Sequence, residues 1–287
     1  FIVIALLYVG ILVIAPLIGI AWAVFQAGWS TIVSTLRQPD VQHAFYLTGV
    51  ITVITVIVTS IFGVIVALVI ARDRFPGRAL MSALVDLPLA VSPVIVGLMA
   101  VVLFGLGGWF EPWFTSQGIR ILFALPSMVL VTIFICIPFV IREVVPVLQE
   151  VGITEEEAAR TLGASSLQTF FRVTLKNIRW GLLYGIALTT ARSIGEIGAV
   201  LIVSGQITGQ TETATLRVQE RWEAFDVAGA YAISIVLATL AVLVLVAMTV
   251  IHQHDEIGKI LARHGAIAVR HFQAEVVVLN VGLHPRV

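Results

Sequence analysis

A chain of 287 residues that is 59% apolar and only 12% charged, with a mean hydropathy of +1.04, has the composition of a protein whose solvent is mostly lipid. These values exclude a soluble globular domain, and the formal net charge of zero argues against a nucleic-acid partner, which would require a basic surface. The single cysteine, Cys136, excludes an intramolecular disulfide, and its place in an apolar run is typical of a small buried residue.

Six apolar runs are long enough to cross a bilayer, since a helical span needs about 20 apolar residues. Helices are required because an open strand would leave backbone groups unpaired in lipid. In chain order the runs are Ile2–Phe25, Leu47–Ala71, Ala79–Phe104, Ile121–Ile141, Leu182–Val203 and Val227–Ile251. We therefore predict an all-α, polytopic membrane protein with six transmembrane helices in residues 1–251 and a cytoplasmic tail at residues 252–287.

Two of these runs have features of their own. The first lacks a basic segment and a small-residue cleavage site, so we predict a span and not a signal peptide; because the chain begins with Phe1, we also expect a native segment to precede it. In the third run Pro88 and Pro93 predict a broken helix, and Ser92 between them is a candidate anion contact because an opened turn frees backbone N–H groups. Asp86 is expected to be a helix cap or a partner for arginines.

The positive charges alternate from loop to loop, and short cytoplasmic loops are enriched in Lys and Arg. Both termini are therefore predicted to be cytoplasmic, as is the long loop between the fourth and fifth runs, within residues 143–180. Twelve of the 17 basic residues fall on this side, namely Arg72, Arg74, Arg78, Arg142, Arg160, Arg172, Lys176, Arg179, Lys259, Arg263, Arg270 and Arg286.

The loop between the fourth and fifth runs reads EEEAARTLGASS and then LQTFFRVTLKN, over residues 155–177. Its Ala, Glu and Leu residues favour a short helix, which Thr154 would cap and Gly163 would end. A second amphipathic stretch, with Leu167 and Phe170, would return the chain to the membrane. Composition alone favours a helical hairpin that rests on lipid headgroups, and the alternative is a compact knob that fits a groove on a soluble partner.

The spacing within this loop resembles the EAA loop of binding-protein-dependent ABC importers, whose pattern is EAA-x3-G-x9-I-x-L-P. Here Glu157-Ala158-Ala159, Gly163 and Val173-Thr174-Leu175 carry the pattern. Lys176 stands where the pattern has proline, which puts the helix break expected there in doubt. The resemblance implies a contact with a cytoplasmic ATPase subunit through Glu157, Ala158, Ala159, Gly163, Ala164, Ser165 and Leu167.

Further stretches resemble the CysW-type permease of sulfate/thiosulfate importers, over roughly residues 40–250. They are residues 86–93 (DLPLAVSP), 142–148 (REVVPVL), 177–185 (NIRWGLLYG), 191–200 (ARSIGEIGAV), 203–205 (VSG) and 209–213 (GQTET). The resemblance implies a type I ABC importer permease fold in the inner membrane. It also implies four kinds of partner, which are a second homologous permease subunit, two cytoplasmic ATPase subunits, an extracytoplasmic sulfate-binding protein and membrane lipid.

The chain has no G-x-x-x-x-G-K-[ST] loop to bind nucleotide phosphates. In a machine of the kind that the resemblance implies, it is therefore expected to be a non-catalytic subunit that binds no cofactor itself. ATP and Mg²⁺ would be bound by the partner ATPase subunits.

Within the apolar runs, Arg192 and Glu196 lie four residues apart in the fifth, where unpaired charges would be costly. One interpretation is that Arg192 offers positive charge to a passing oxyanion while Glu196 holds it. The other, which we favour, is a permanent structural pair at the permease dimer seam, since breaking a buried pair commonly destabilises by roughly 3 to 5 kcal/mol. A stripe of small and polar residues on the second run predicts a helix-packing seam in preference to a pathway face; its members are Thr48, Thr52, Thr55, Thr59 and Gly63.

Other functions remain open. A molybdate or tungstate importer is the nearest alternative, because tetrahedral oxyanions need similar donors. An ion channel and an intramembrane enzyme are different classes, but no selectivity-filter sequence, metal-ligand cluster or catalytic set is visible within the runs. The histidines of the tail favour a solvated segment over a metal site; they are His252, His254, His264, His271 and His284.

Overall fold

The computed structural model describes residues 2–250, and all regular structure in that range is helical. The helices are α1 Ile2–Ala27, α2 Trp29–Leu36, α3 Pro39–Arg72, α4 Arg78–Ala90, α5 Pro93–Phe104, α6 Glu111–Ser116, α7 Leu125–Val151, α8 Thr154–Thr161, α9 Ser166–Thr169, a π-helical turn Phe170–Thr174, α10 Leu175–Ile194, α11 Gly198–Val203, α12 Ala214–Glu223 and α13 Val227–Val250. The predicted tail and its histidines lie outside the described residues.

Three helices, α3, α7 and α10, form the centre of the bundle, and glycines let their backbones approach closely. A Cβ added at Gly63 of α3 would lie 2.8 Å from the Cβ of Val140 in α7. One added at Gly185 of α10 would lie 2.9 Å from the Cα of the same valine, which is fully buried. Small residues at crossings are how membrane helices gain contact area, because lipid provides little hydrophobic drive for their association.

The polar stripe on α3 is a packing seam, as predicted. Its threonines are at most 7% exposed. Thr52 Oγ1 accepts a hydrogen bond from Ser193 Oγ of α10 at 3.2 Å, and Thr48 Oγ1 accepts one from the backbone N–H of Ala214, at the start of α12, at 2.9 Å. The stripe therefore joins α3 to the helices packed against it.

By length and apolar composition, three helices of the described range can cross a membrane, namely α3, α7 and α13. Together α4 and α5 make a fourth candidate, although the pair bends by 107° at the break between them. This bend confirms the prediction of a broken third run, and it falls where Pro93 begins α5. In α1 the apolar stretch is shorter, at Gly10–Ala23. The structure thus supports three or four spans, and six stays a prediction.

The fifth apolar run was predicted as one continuous helix, and that prediction is wrong. Helix α10 ends at Ile194, and α11 begins at Gly198. Between them Glu196 Oε1 accepts the backbone N–H of Ala199 at 2.8 Å, and a side chain that binds nearby backbone in this way competes with helix continuation. At its other end, α10 continues from the π-helical turn through Lys176, so the chain has no helix break at that position.

Candidate functional site

The loop between α7 and α10 (residues 152–174) is built around two short helices, α8 and α9. Thr154 is the first residue of α8 and Ile153 occupies the N-cap position, so the predicted threonine cap is wrong. The chain turns out of α7 at Gly152, whose φ is +70°, and only Ile153 remains before the helix begins. The three glutamates of the first turn lie at the positive end of the helix dipole, where negative charge is favourable.

Gly163 ends α8 as predicted. Its φ of +86° lies in the left-handed region, and the N–H groups of Gly163 and Ala164 bond to the carbonyls of Arg160 and Ala159, each at 3.0 Å. This is the Schellman arrangement of a helix C-terminus. Nothing lies within 4 Å of an added Cβ, so the glycine is required by the backbone conformation and not by lack of space.

Ser165 begins α9 with a capping box. Its hydroxyl accepts the N–H of Gln168 at 3.3 Å, and the Gln168 side-chain oxygen accepts the N–H of Ser165 at 2.9 Å. The S-x-x-Q spacing of this motif is a readable signal that the sequence prediction missed. The box holds the second helix of the loop at a fixed angle immediately after the Gly163 turn.

The outer face of the loop carries most of the residues predicted to meet a partner. The exposed ones are Glu157, Ala158, Gly163, Ser165 and Leu167, and the half-buried ones are Ala159 and Ala164. Large apolar side chains are exposed beside them in sequence, with Leu162 at 88%, Leu167 at 71% and Phe171 at 63%. Exposed apolar side chains on an ordered loop are typical of a protein contact.

The inner face of the loop is held by a buried glutamate that the prediction did not single out. Glu156 Oε1 accepts hydrogen bonds from Arg72 Nη2 at 2.9 Å and from Thr174 Oγ1 at 3.0 Å. Arg72 Nη1 also donates to the backbone carbonyl of Leu148 at 2.9 Å. Arg72 therefore joins the end of α3 to α7 and α8, and Glu156 joins α8 to the π-helical turn.

Arg192 and Glu196 form the pair that the sequence predicted, although only Arg192 lies in α10. Arg192 Nη1 is 2.6 Å from Glu196 Oε2, without the alignment of a hydrogen bond. The Glu196 side chain is 2% exposed, and its backbone carbonyl accepts Thr215 Oγ1 at 3.0 Å. The Arg192 side chain is 30% exposed. Glu196 thus contacts α10, α11 and α12, while part of the Arg192 side chain remains accessible.

The two breaks in the apolar helices meet near this pair. A Cβ added at Gly198, the first residue of α11, would lie 3.0 Å from Pro93 Cβ at the start of α5. Ser92 is the exposed N-cap residue of α5, and its side chain makes no capping hydrogen bond. Elsewhere on the α4 segment, Asp86 accepts a hydrogen bond from Arg142 Nε of α7 at 2.8 Å, which confirms the predicted arginine partner.

A denser ionic cluster, which the prediction missed, lies where α3 begins. Arg217 of α12 pairs with Asp40 of α3, with Glu220 at 2.6 Å and with Glu212 at 3.3 Å. Arg221 contacts Asp40 at 3.5 Å. We term these residues, with Asp226, the α12 cluster.

Acidic side chains outnumber basic ones in the α12 cluster, and the pKa values of two of its carboxyl groups are shifted in opposite directions. Burial, followed by the neighbouring charge of Glu220, raises the pKa of Glu212 to about 7. The pKa of Asp226 is lowered, chiefly because its carboxylate accepts the backbone N–H of Gly229. Arg221 Nη1 also donates to Asp226 at 2.6 Å, so the cluster extends to the first turn of α13.

Residues 59–254 match the family described as "Binding-protein-dependent transport system inner membrane component". The chain is 45% identical to the sulfate transport system permease protein CysW of Synechocystis sp. over 249 residues, which cover 87% of this chain and 90% of that one. With CysW of Escherichia coli the identity is 42% over 242 residues, or 84% and 83% of the two chains.

Two further comparisons extend this result. The chain is 35% identical to the sulfate transport system permease protein CysT of Escherichia coli, over 84% of this chain and 87% of that one. Among solved structures, it resembles a chain of a bacterial alginate ABC transporter in complex with a pentasaccharide-bound periplasmic protein, with a TM-score of 0.71, 18% identity, and coverage of 89% and 93%. At this identity the structural likeness speaks for the fold alone.

Proposed function

The chain belongs to the family of binding-protein-dependent transport system inner membrane components, and on that premise we propose that it is one transmembrane permease subunit of an ATP-driven sulfate importer. The observation that supports sulfate as the substrate is the identity of 45% with a sulfate transport permease over 87% of this chain. Net import of a dianion into an inside-negative cell costs about 4.6 kcal/mol per 100 mV, so the permease needs a motor.

The α7–α10 loop is the part of the chain that suits contact with that motor. Its exposed Glu157 and Ala158, together with exposed Leu162, Leu167 and Phe171, offer a charged and apolar surface that a groove on an ATPase subunit would accept. The Schellman turn at Gly163 and the capping box at Ser165 hold this surface in one shape. We assign the loop as the ATPase contact, with nucleotide and Mg²⁺ bound by the two ATPase subunits and not by this chain.

The remaining partners follow from the same assignment. Relatives named CysW and CysT are both sulfate transport permeases, which supports pairing of this chain with a second, homologous permease. The alginate transporter was solved with a periplasmic protein bound, which supports delivery of the anion by an extracytoplasmic binding protein. Each permease would supply half of the translocation pathway.

Arg192 is the residue we assign to the anion pathway in this subunit. Its side chain is partly exposed and its guanidinium carries five N–H donors, while the contact with Glu196 supplies a compensating charge without hydrogen-bond alignment. Nearby, the start of α5 meets the start of α11, and interrupted helices of this kind commonly form substrate sites in transporters. Ser92, exposed at the α5 N-cap, is placed to add a hydroxyl.

For topology, we propose six spans with both termini and the α7–α10 loop in the cytoplasm, at the inner membrane. The basis is the charge asymmetry of the loops. In a Cys136→Ser background, an impermeant thiol reagent outside intact cells should label Gln210→Cys and leave Ser165→Cys unlabelled. The reverse labelling pattern would invert the topology.

Uptake by reconstituted vesicles tests the proposed function. The complete complex should take up sulfate only when ATP and the binding protein are both present, and excess thiosulfate or molybdate would reveal which oxyanions compete. Sulfate flux without ATP would indicate a channel and would contradict the proposal. Uptake of molybdate with no uptake of sulfate would reassign the substrate.

A further inference from the structure

Arg72 is the last residue of α3, a helix of 34 residues that begins in the α12 cluster and ends against the α7–α10 loop. Its guanidinium donates one hydrogen bond to the Leu148 carbonyl and one to the Glu156 carboxylate, both at 2.9 Å. We term this pair of hydrogen bonds the Arg72 fork. Because guanidinium is planar and rigid, these two bonds fix the relative position of α7 and α8, which a single-point contact would not do.

Glu156 is distinct from its neighbours in the same helical turn. Its residue is 8% exposed, whereas Glu155 and Glu157 on either side are exposed. It faces the bundle, where its Oε1 accepts hydrogen bonds from both Thr174 and Arg72. The loop therefore has an outer face with Glu157 and Ala158 and an inner face that Glu156 joins to α3, while Glu155 accepts a hydrogen bond from α10 at 2.7 Å.

We propose that Arg72 is a positioning residue that couples movement of the α7–α10 loop to α3. The proposal rests on the proposed function, in which that loop meets the ATPase. When the ATPase moves the loop inward, Glu156 moves with α8. Its hydrogen bond to Arg72 then displaces α3, and the bond from Arg72 to Leu148 displaces the end of α7 as well. Without the Arg72 fork the loop keeps its own caps and its hydrogen bond to α10, so it retains its shape and loses only its hydrogen bond to α3.

The first experiment measures sulfate uptake and ATP hydrolysis together in vesicles that contain the complete complex. Arg72→Gln should retain stimulated ATP hydrolysis while sulfate transported per ATP falls about tenfold, within the usual range of coupling between sites. Arg72→Lys keeps the charge but reaches only one of the two acceptors, so it should be intermediate. Arg74→Gln removes an exposed arginine two residues further along and should match the unaltered complex.

A merely structural role would lower transport, hydrolysis and complex recovery in parallel, and that result would overturn the proposal. An unchanged ratio of transport to hydrolysis in Arg72→Gln would overturn it as well. The Arg72→Lys variant keeps the proposal testable if Arg72→Gln does not fold, because lysine retains the positive charge beside Glu156.

A second experiment tests the role of Arg72 without measuring transport. Spin labels at Arg74→Cys and Arg160→Cys, in a Cys136→Ser background of the full complex, report the distance between the end of α3 and α8. The distribution should be narrow with Arg72 and broad with Arg72→Gln; an unchanged distribution would overturn the proposal. If the unaltered complex fails to import sulfate, the proposed function fails, and this distance still decides the role of Arg72.

Discussion

The two ends of α3 are both held by ion pairs, but in different ways. At its first turn, Asp40 joins the α12 cluster, in which Arg217 has three carboxylate partners and Arg221 has two. At its last residue, Arg72 has one carboxylate partner, Glu156. The first end is redundant and the second has a single carboxylate partner, which is the arrangement expected of an anchored end and a movable one.

The largest effect should come from removing the arginine at the centre of the redundant end. Arg217→Met leaves Asp40, Glu212 and Glu220 close together without their shared cation. We expect a loss of about 3–5 kcal/mol in the free energy of unfolding, as for other broken buried pairs. Thermal unfolding in detergent checks this, with Arg37→Met, an exposed arginine at the same end, as the matched control. Equal stability of the two variants would show that the α12 cluster anchors nothing.

Neutralising one acid at each end of α3 measures how much each end depends on one carboxylate. Asp40→Asn leaves Arg217 with two carboxylates, so we expect a loss below about 1 kcal/mol. Glu156→Gln leaves Arg72 without a charged partner, and the expected loss is about 1–3 kcal/mol, as for a buried group deprived of its partner. The same unfolding measurement applies to both variants. A larger loss from Asp40→Asn than from Glu156→Gln would show that the first end of α3 is not the redundant one.

The turn at Gly163 tests the outer face of the movable end. A side chain at φ +86° costs about 1–2 kcal/mol, and Gly163→Asp adds a charge to the surface proposed to meet the ATPase. Membrane insertion should be normal, while recovery of the ATPase subunits with the permease, or the coupling of hydrolysis to transport, should fall. Normal uptake with normal subunit recovery would refute the assignment of the loop.

These contacts also mark the limit of what the sequence could predict. Gly163 was predictable because one residue type sets that backbone turn, and the pairing of Arg192 with Glu196 was predictable because they are four residues apart. Arg72 and Glu156 are 84 residues apart, and Asp40 and Arg217 are 177 apart. No local pattern links such residues, since only the packing of α3 against α7 and α12 brings them together. The break at Glu196 was missed because apolar residues continue on both sides of that pair, and the glycines at 195 and 198 were not read as a helix end.

The smallest effect concerns the pH dependence of the redundant end. Glu212 has a folded-state pKa of about 7, above its ordinary value of 4.5, because it is buried. Between these values the folded protein binds the proton more tightly than the unfolded chain, so stability contributed by this group is present at low pH and is lost as pH rises toward 7. Glu212→Gln should flatten the fall in unfolding temperature over this window. An identical slope in the variant would contradict the assignment.

Between the two ends of α3 lies the pair that bears on transport itself. Glu196 is held by hydrogen bonds to Ala199 and Thr215, whereas Arg192 remains partly exposed, so we assign a structural role to the glutamate and a role toward the anion to the arginine. Removing Arg192 alone leaves Glu196 buried without its counter-charge, which should impair assembly. The double variant removes both charges and should restore it.

The most direct test is therefore sulfate uptake by the Arg192→Met, Glu196→Gln double variant in reconstituted vesicles, measured beside the two single variants. We expect complex recovery lost in either single variant to return in the double variant, while uptake remains lost because the anion has no cation to meet. Uptake that returns with assembly would make the pair purely structural. Full uptake by Arg192→Met alone, at normal expression, would contradict both roles.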